Sequence, residues 1–320
     1  MTQGPEAAGI LVVDKPAGLT SQDVVARARR ALGMRRVGHA GTLDPMATGV
    51  LVVGFGRATR LLTYVVGVDK AYRATIRLGW SSDTDDADGS VVRSAEASAL
   101  SRIRDDDITA AMATLAASRV QVPSSVSAVK VAGKRAYQRV RSGESVTLAA
   151  REVVIHRFES TSIRRSEVAI DIDAEVECGS GTYVRALARD LGGVLGVGGH
   201  LTALRRTRVG SFQLGHAVDL ADLERAPGTV GTLSPATAAE MILPTWMASD
   251  EAVVAVRHGR RIPWPADVPR ARTAVMAPRG DLVAVVEPAD DRVRSLTVFA
   301  DNLPPVPPGA AAPTTARAHG

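Results

Sequence analysis

The sequence predicts an α+β fold in which a mixed, largely antiparallel central sheet is flanked by helices. Strand-like apolar runs lie early in the chain, at residues 10–13, 49–56 and 71–79. Helical patterns at 107–118 and 182–195 do not alternate with the strands one for one. A parallel sheet built from βαβ units requires that alternation, so a largely antiparallel sheet is favoured.

The first elements are a buried strand and a capped helix. The apolar run at 10–13 ends at a turn over 14–18 that contains proline and glycine. Thr20 or Ser21 can cap the following helix, and Gly33 can end it. The apolar residues on one face of that helix are Val24, Val25, Ala28 and Leu32.

The middle of the chain mixes loops, strands and short helices. Residues 33–48 are rich in glycine and arginine without apolar periodicity, which indicates a loop. A short helix at 57–64 and an acidic turn at 81–89 follow. Further strands are expected at 153–160 and 168–177.

The acidic turn superficially resembles a calcium loop. Aligning Gly89 with the glycine of that motif puts Thr84 at the first ligand position and Ala95 at the position of the bidentate glutamate. Both ends therefore lack the required carboxylate. We expect a solvated turn, one of whose carboxylates can orient an arginine.

Composition shifts divide the chain into three parts. A large domain is expected over 8–235, ending in a turn-rich stretch. Four strand-like pieces predict a small β-rich domain over 245–300, and the Pro- and Ala-rich segment 301–320 is expected to be disordered. The four pieces are 252–257, 273–277, 282–287 and 295–299.

Composition also excludes several classes of protein. No run of 18 apolar residues exists and no secretory signal is recognisable, so we expect a cytoplasmic protein that does not enter membranes. Cys178 is the single cysteine, which fits a reducing compartment. The six histidines are scattered without zinc-ligand spacing, so no metal is expected.

Positive charge is carried mainly by clustered arginines. The net charge is +5, and residues 24–43 contain five arginines and no acid. Two more acid-poor clusters follow, one over 130–141 and one at 205–208. Such clusters indicate contacts with nucleic-acid phosphates, although a solvated helix face is the simpler alternative for the first. Aromatic residues make up 3% of the chain, too few for a broad base-stacking surface.

Asp44 is the candidate catalytic residue. It precedes Pro45, which favours extended backbone at Asp44, and Gly41 and Gly49 flank it. A carboxylate before a proline is usually only a turn residue. The assignment therefore depends on the motifs found together with it.

The motifs that accompany Asp44 lie in order over residues 10–210. They are GHAGTLDPMATGVL (38–51), DKPAGLTS (14–21), DKAYR (69–73), SAVK and GKRAY within 127–137, GSGTYVR (179–185) and LRR (204–206). Together they resemble the TruB family, the bacterial tRNA pseudouridine-55 synthases. One departure is Pro123-Ser124, where the family usually carries two prolines. The C-terminal region resembles the family's PUA-like domain more loosely.

The resemblance implies a pseudouridine synthase fold and an isomerase that converts uridine 55 of the tRNA T-loop to its C-glycoside without cofactor or metal. Asp44 then matches the nucleophile, Arg185 the arginine that pairs with it, and Tyr72 the tyrosine that stacks on the flipped base. The expected substrate-binding residues are His39, Tyr183, Leu204, Lys70 and Asp86. The basic clusters suggest phosphate contacts by Arg35, Arg36, Lys130, Arg205 and Arg206, in an enzyme expected to be monomeric.

Two other functions are considered. An RNA chaperone would bind and fold tRNA without chemistry, but pure binding does not need a carboxylate facing anionic RNA. A glycoside hydrolase would pair Asp44 with an acid from 83–88, but such enzymes usually line their grooves with aromatic residues, and this chain has three tryptophans.

Overall fold

The computed structural model describes residues 7–125 and 148–299, with only the backbone of 130–131 and 134–135 between them. The segment 301–320 and most of the basic cluster over 130–141 lie outside the described residues. The chain forms two compact units that divide between Leu233 and Ser234.

The described part of the first unit contains one large sheet, three small two-stranded sheets and several helices. Its strands are β1 (Gly9–Lys15), β2 (Val37–Ala40), β3 (Thr48–Phe55), β4 (Lys70–Leu78), β5 (Trp80–Ser82), β6 (Val91–Arg93), β7 (Val120–Gln121), β8 (Lys130–Val131), β9 (Lys134–Arg135), β10 (Arg151–Glu152), β11 (Ile155–Arg165), β12 (Ile170–Cys178), β13 (Gly199–Val209), β14 (Phe212–Gln213) and β15 (Val218–Asp219). Its helices are α1 (Ser21–Leu32), α2 (Leu62–Val66), α3 (Ala97–Leu100), α4 (Asp105–Ala117), α5 (Val184–Val194) and α6 (Leu220–Arg225), with 3-10 turns at Gly56–Leu61 and Leu214–His216.

The large sheet has nine strands and is mixed but largely antiparallel. Seven of them run in the order β11-β12-β4-β13-β3-β1-β15, while β14 pairs with β13 and β2 with β3. Only the pairs β1–β15 and β3–β13 are parallel within this described sheet. The predicted α+β class is therefore confirmed.

Helix α1 begins and ends where its sequence predicts. Thr20 accepts a hydrogen bond from the backbone N–H of Asp23, whose carboxylate accepts one from the Thr20 N–H. This reciprocal cap satisfies two donors that the first turn would otherwise leave unpaired. Gly33 ends the helix at φ 64°, a left-handed conformation that glycine adopts without penalty.

Two apolar clusters among the described residues pack helices against the large sheet of the first unit. One packs α4 and α5 against β4, β12 and β13, and it includes Ile76, Ile172 and Leu191. The other packs α1 and α6 against β1 and β3, and it includes Val24 and Leu51. Along β12, buried residues alternate with half-buried ones, as expected for a strand with one covered face.

Two strands differ from the sequence-based prediction. Residues 37–40 form β2 although 33–48 was predicted as loop, and the eleven-residue strand β13 was not predicted at all. The arginines of β13 conceal its apolar alternation. Gly49 is required where β3 meets β13, because a Cβ there would lie 2.2 Å from the carbonyl oxygen of Arg206.

The second unit contains α7 (Pro235–Glu240), α8 (Asp250–Arg257) and a four-stranded sheet. The strands of this sheet are β16 (Thr245–Met247), β17 (Thr273–Met276), β18 (Leu282–Ala289) and β19 (Arg292–Val298). The strands predicted at 273–277, 282–287 and 295–299 are confirmed, but the strand predicted at 252–257 was wrong. Those residues are helical because Ser249 caps α8 and a single apolar stripe faces the core. Across both described units, no helix is long and apolar enough to cross a membrane.

Candidate active site

Asp44 lies in the connection between β2 and β3, and its neighbours in that connection are fixed by buried hydrogen bonds. The Ser21 hydroxyl accepts from the Leu43 N–H at 2.8 Å and lies 3.1 Å from the Leu43 carbonyl oxygen. The Pro45 carbonyl accepts from the Gly18 N–H at 2.8 Å and from Nζ of Lys15 at 3.1 Å. Residues on both sides of Asp44 are thus held by the end of β1, the turn that follows it and the first residue of α1.

Arg206 supports the same connection from β13. It is 1% exposed, and its guanidinium donates to the carbonyls of Val50 at 2.7 Å and of Thr42 and Gly41 at 3.2 Å. One buried cation therefore satisfies three backbone acceptors around Asp44. Such acceptors are costly to leave unpaired inside a protein.

The strand register explains how these side chains converge. Lys15 of β1 lies opposite Gly49 of β3, which lies opposite Arg206 of β13, which lies opposite Tyr72 of β4. Residues directly opposite each other project on the same side of a sheet. A lysine, an arginine and a tyrosine therefore form one row across four strands, with glycine between the two cations.

Arg185 is the direct partner of Asp44. It stands in the first turn of α5, is 5% exposed, and places Nε 3.0 Å from Oδ2 of Asp44. Its Nη2 donates to Oδ1 at 3.1 Å. One hydrogen bond and one ion-pair contact from the same guanidinium therefore hold the two oxygens of the carboxylate. The Asp44 side chain retains 32% exposure, so it stays accessible to a substrate.

The acidic turn completes the surroundings of Arg185. Nη1 of Arg185 lies 3.2 Å from Oδ2 of Asp86 and donates to the Thr84 carbonyl at 3.0 Å. The expectation of a fully solvated turn was wrong, because Asp85 and Asp86 are buried and each pairs with an arginine of α5. The placement of Asp86 beside Arg185 agrees with the suggestion that a carboxylate of this turn orients an arginine.

The electrostatic balance at Asp44 is set by burial and by opposing charges. Burial raises the pKa of Asp44, while the ion pair with Arg185 lowers it and the nearby Asp86 raises it. Burial also lowers the pKa of Lys15 to about 8, against the attraction of Asp44. The ion pair with Arg185 therefore favours the ionised form of Asp44.

Tyr72 and Leu204 lie in the same apolar cluster as Leu43 and Ala47, the neighbours of Asp44. Tyr72 is 8% exposed, and burial raises the pKa of its phenol to about 12, while a hydrogen bond with Arg206 acts the other way. Tyr72, the predicted base-stacking residue, and Leu204, the predicted apolar wall, thus lie on the face of the sheet that carries Arg206.

Three other predicted substrate-binding residues take different positions. His39 is half-buried on β2, with Nε2 3.3 Å from the Gln22 side-chain nitrogen. Tyr183 caps α5, where its backbone N–H donates to Gln121. For Lys70 the structure contradicts a substrate contact. Its ammonium is buried and donates to two backbone carbonyls just before β4.

The predicted phosphate contacts are only partly accessible. Arg35 and Arg36 are exposed, and Arg36 also donates to the Thr59 hydroxyl at 2.8 Å. Arg205 forms a two-point ion pair with Asp14, at 3.0 and 2.6 Å. The prediction for Arg206 was wrong, because its guanidinium is buried against backbone carbonyls. The Lys130 side chain lies outside the described residues.

Three residues of the site were missed by the sequence-based prediction. They are Lys15, Ser21 and Gln121, whose side chain bonds both the N–H and the carbonyl of Tyr183. The first two belong to the motif DKPAGLTS, which signalled the family but not the contact with the Asp44 loop. The part of the chain that the structure describes holds no group of three or more candidate metal ligands.

Comparison with known families gives a continuous match. The model described as "TruB family pseudouridylate synthase (N terminal domain)" matches residues 29–184. "tRNA pseudouridylate synthase B C-terminal domain" matches 185–245, and "tRNA Pseudouridine synthase II, C terminal" matches 243–300.

Curated relatives are similar over nearly their whole length. A protein named tRNA pseudouridine synthase B from Arthrobacter sp. (strain FB24) is 52% identical over 91% of this chain and 96% of the relative. One of the same name from Cutibacterium acnes is also 52% identical, over 89% of this chain and 94% of the relative.

Solved structures agree with the fold. A Cbf5-Nop10-Gar1 complex contains a chain that is 26% identical, with a TM-score of 0.69 over 91% of this chain and 84% of that one. An H/ACA RNP bound to a substrate RNA containing 2'-deoxyuridine gives 0.67 at 26% identity, over 91% of this chain and 84% of that one. From these matches, the chain belongs to the TruB family of pseudouridine synthases.

Proposed function

We propose that this protein isomerises uridine 55 in the T-loop of tRNA to pseudouridine. The family and the names of the curated relatives support tRNA pseudouridine synthesis as its activity. In this reaction the N1–C1′ bond breaks and a C5–C1′ bond forms. The proton on C5 is released to water and N1 gains one, so atoms balance without a cofactor.

Asp44 is proposed as the nucleophile. The observation that carries this assignment is the two-point contact of Arg185 with a carboxylate that keeps 32% exposure. A carboxylate can add to the nucleotide as the N1–C1′ bond breaks and leave as the new bond forms. It must be ionised to do so, and Arg185 opposes the effect of burial on its pKa.

Tyr72 is proposed to stack on the base after it has flipped out of the T-loop, with Leu204 as an apolar wall. A stack of this kind contributes about 1–3 kcal/mol, which offsets part of the cost of flipping. With a pKa of about 12, the phenol is protonated at neutral pH. Deprotonating it at pH 7 costs about 7 kcal/mol, so stacking is its favoured role.

The RNA surface and the cellular setting complete the proposal. Arg35 and Arg36, both exposed, are proposed to contact phosphates of the T-arm, and His39 to contact the flipped nucleotide. The second unit is proposed to be the PUA-like domain, and the protein to act as a cytoplasmic monomer. No metal or cofactor takes part in the proposed reaction.

The proposal is tested by tritium release from tRNA labelled at uridine C5. Wild-type protein is expected to release one equivalent of tritium per unmodified tRNA. The control is the same tRNA with cytidine at position 55, which is expected to release none above background. Equal release from the two tRNAs would contradict uridine 55 as the target, and no release from either would contradict the activity itself.

A further inference from the structure

A second arginine of α5 contacts the acidic turn beside the Arg185 pair. Arg189 stands one helical turn after Arg185, so both side chains leave the same face of the helix. Nη1 of Arg189 lies 3.1 Å from Oδ2 of Asp85, and its Nη2 donates to the Val122 carbonyl at 2.8 Å. Arg189 thus connects the turn to the segment that follows β7.

Asp85 is unusual in two respects. It is buried, and its φ of 61° makes it one of two non-glycine residues with positive φ in the described chain. The Ser124 hydroxyl donates to its Oδ2 at 2.8 Å, and its backbone carbonyl accepts from the Leu201 N–H at 3.0 Å. A left-handed backbone at a non-glycine residue persists only where its surroundings impose it. Here Arg189, Ser124 and Leu201 impose it from three segments.

The residues on either side of Asp85 are the ones that Arg185 contacts. Thr84 supplies a carbonyl and Asp86 a carboxylate, and both engage Nη1 of Arg185. The remaining Nε and Nη2 are the atoms that face Asp44. Fixing Asp85 therefore fixes the two contacts that orient the guanidinium toward the reacting carboxylate.

We propose that Asp85 and Arg189 are positioning residues, which hold the acidic turn so that Arg185 is aligned with Asp44. Neither residue reaches Asp44 in the described contacts, so their effect is transmitted through Arg185. The inference rests on the proposed function, because it assumes that Asp44 is the reacting carboxylate.

The consequence concerns the ionisation of Asp44. If the turn loosens, Arg185 loses part of its alignment and the pKa of Asp44 rises further. The other charged or titratable groups acting on Asp44 are Asp86 of the turn, Lys15 of β1 and Arg206 of β13, and Tyr72 of β4 also senses its charge. Lys15, Arg206 and Tyr72 contact neither Asp85 nor Arg189 in the described structure, so they remain in place in the variants. Asp86 moves with the turn, but its effect on the pKa of Asp44 is smaller than that of Arg185.

Asp85→Asn and Arg189→Gln test the inference. Asparagine tolerates the left-handed backbone, so the first variant removes charge without adding strain. We expect kcat to fall about tenfold with KM for tRNA within about twofold of wild type, because alignment rather than binding is lost. The acidic limb of the pH profile of kcat is expected to move up by about half a unit, which corresponds to a threefold change in ionisation. The double variant is expected to show no further fall in kcat, since both changes break the same contact between Asp85 and Arg189.

Asp171→Asn is the matched control. Asp171 forms a two-point pair with Arg77, at 2.8 Å for each contact, on β12 and β4. Its removal is expected to lower thermal stability slightly and to leave the acidic limb unchanged. An acidic limb in both test variants that coincides with wild type overturns the inference, whatever their stability. Should wild type itself release no tritium, the proposed function fails instead. If wild type is active, Asp44→Asn is inactive and the acidic limb of Asp85→Asn is not shifted, the inference is refuted while the proposed function stands.

Discussion

Replacing Arg206 with methionine tests whether a buried cation holds the Asp44 loop. Methionine keeps the length of the side chain but removes the donors to the carbonyls of Val50, Thr42 and Gly41. A buried acceptor left without a donor costs about 1–3 kcal/mol. Partial entry of water reduces the sum over the three acceptors, so we expect the free energy of unfolding to fall by about 3–5 kcal/mol.

Chemical denaturation of Arg206→Met beside Arg205→Met measures this loss. The two residues are neighbours on β13, but Arg205 is 40% exposed in its pair with Asp14 and is expected to contribute less than about 1 kcal/mol. Similar losses of about 1 kcal/mol or less in both variants would refute the structural role of Arg206. A lower salt dependence of tRNA binding in Arg206→Met alone would restore its first assignment as a phosphate contact.

Three further predictions follow from the charges around the site. Arg185→Lys removes the two-point contact, so the rate of pseudouridine formation is expected to fall about a hundredfold. The acidic limb of its pH profile is expected to move to higher pH, because Asp44 then protonates more readily. An acidic limb that does not move would contradict this. Arg35→Gln is expected to reduce the slope of log K for tRNA against log salt by about 0.7–0.9, and an unchanged slope would remove Arg35 from the RNA surface. Lys15 releases its proton near pH 8 in the folded protein, while the unfolded chain keeps it to about pH 10.5. The unfolded state therefore binds more protons between these pH values. The stability of wild type relative to Lys15→Met is expected to rise with pH across that window, by at most about 3 kcal/mol. Denaturant titrations at pH 7.5 and 10 check this, and a constant difference would contradict it.

The large unit was predictable where side chains reflect the backbone directly. The sequence of helix α1 predicts its cap, its buried face and its terminal glycine. The apolar runs of β1 and β3 likewise predict strands. Strand β13 could not be found this way, because Arg205, Arg206 and Arg208 occupy positions where an apolar alternation would appear. Their charge suggested an RNA surface, and only the register with β3 and β4 reveals that one of them is buried.

The site was predictable through motifs and not through local chemistry. Asp44 and Arg185 are 141 residues apart, and nothing in either segment specifies the contact between them. The acidic turn looked solvated because its carboxylates are consecutive, whereas their partners, Arg185 and Arg189, come from a distant helix. In α8, the run AVVAV suits a strand as well as a helix, and the Ser249 cap decides between them.

The central claim is that Asp44 is the nucleophile, held ionised by Arg185. Single-turnover pseudouridine formation by Asp44→Asn, measured beside its affinity for unmodified tRNA, tests it most directly. We predict a rate reduced by roughly 10⁴-fold or more with the affinity for tRNA kept within about threefold, because the amide preserves shape but cannot act as the nucleophile. A variant that forms pseudouridine at a rate near that of wild type would contradict the account.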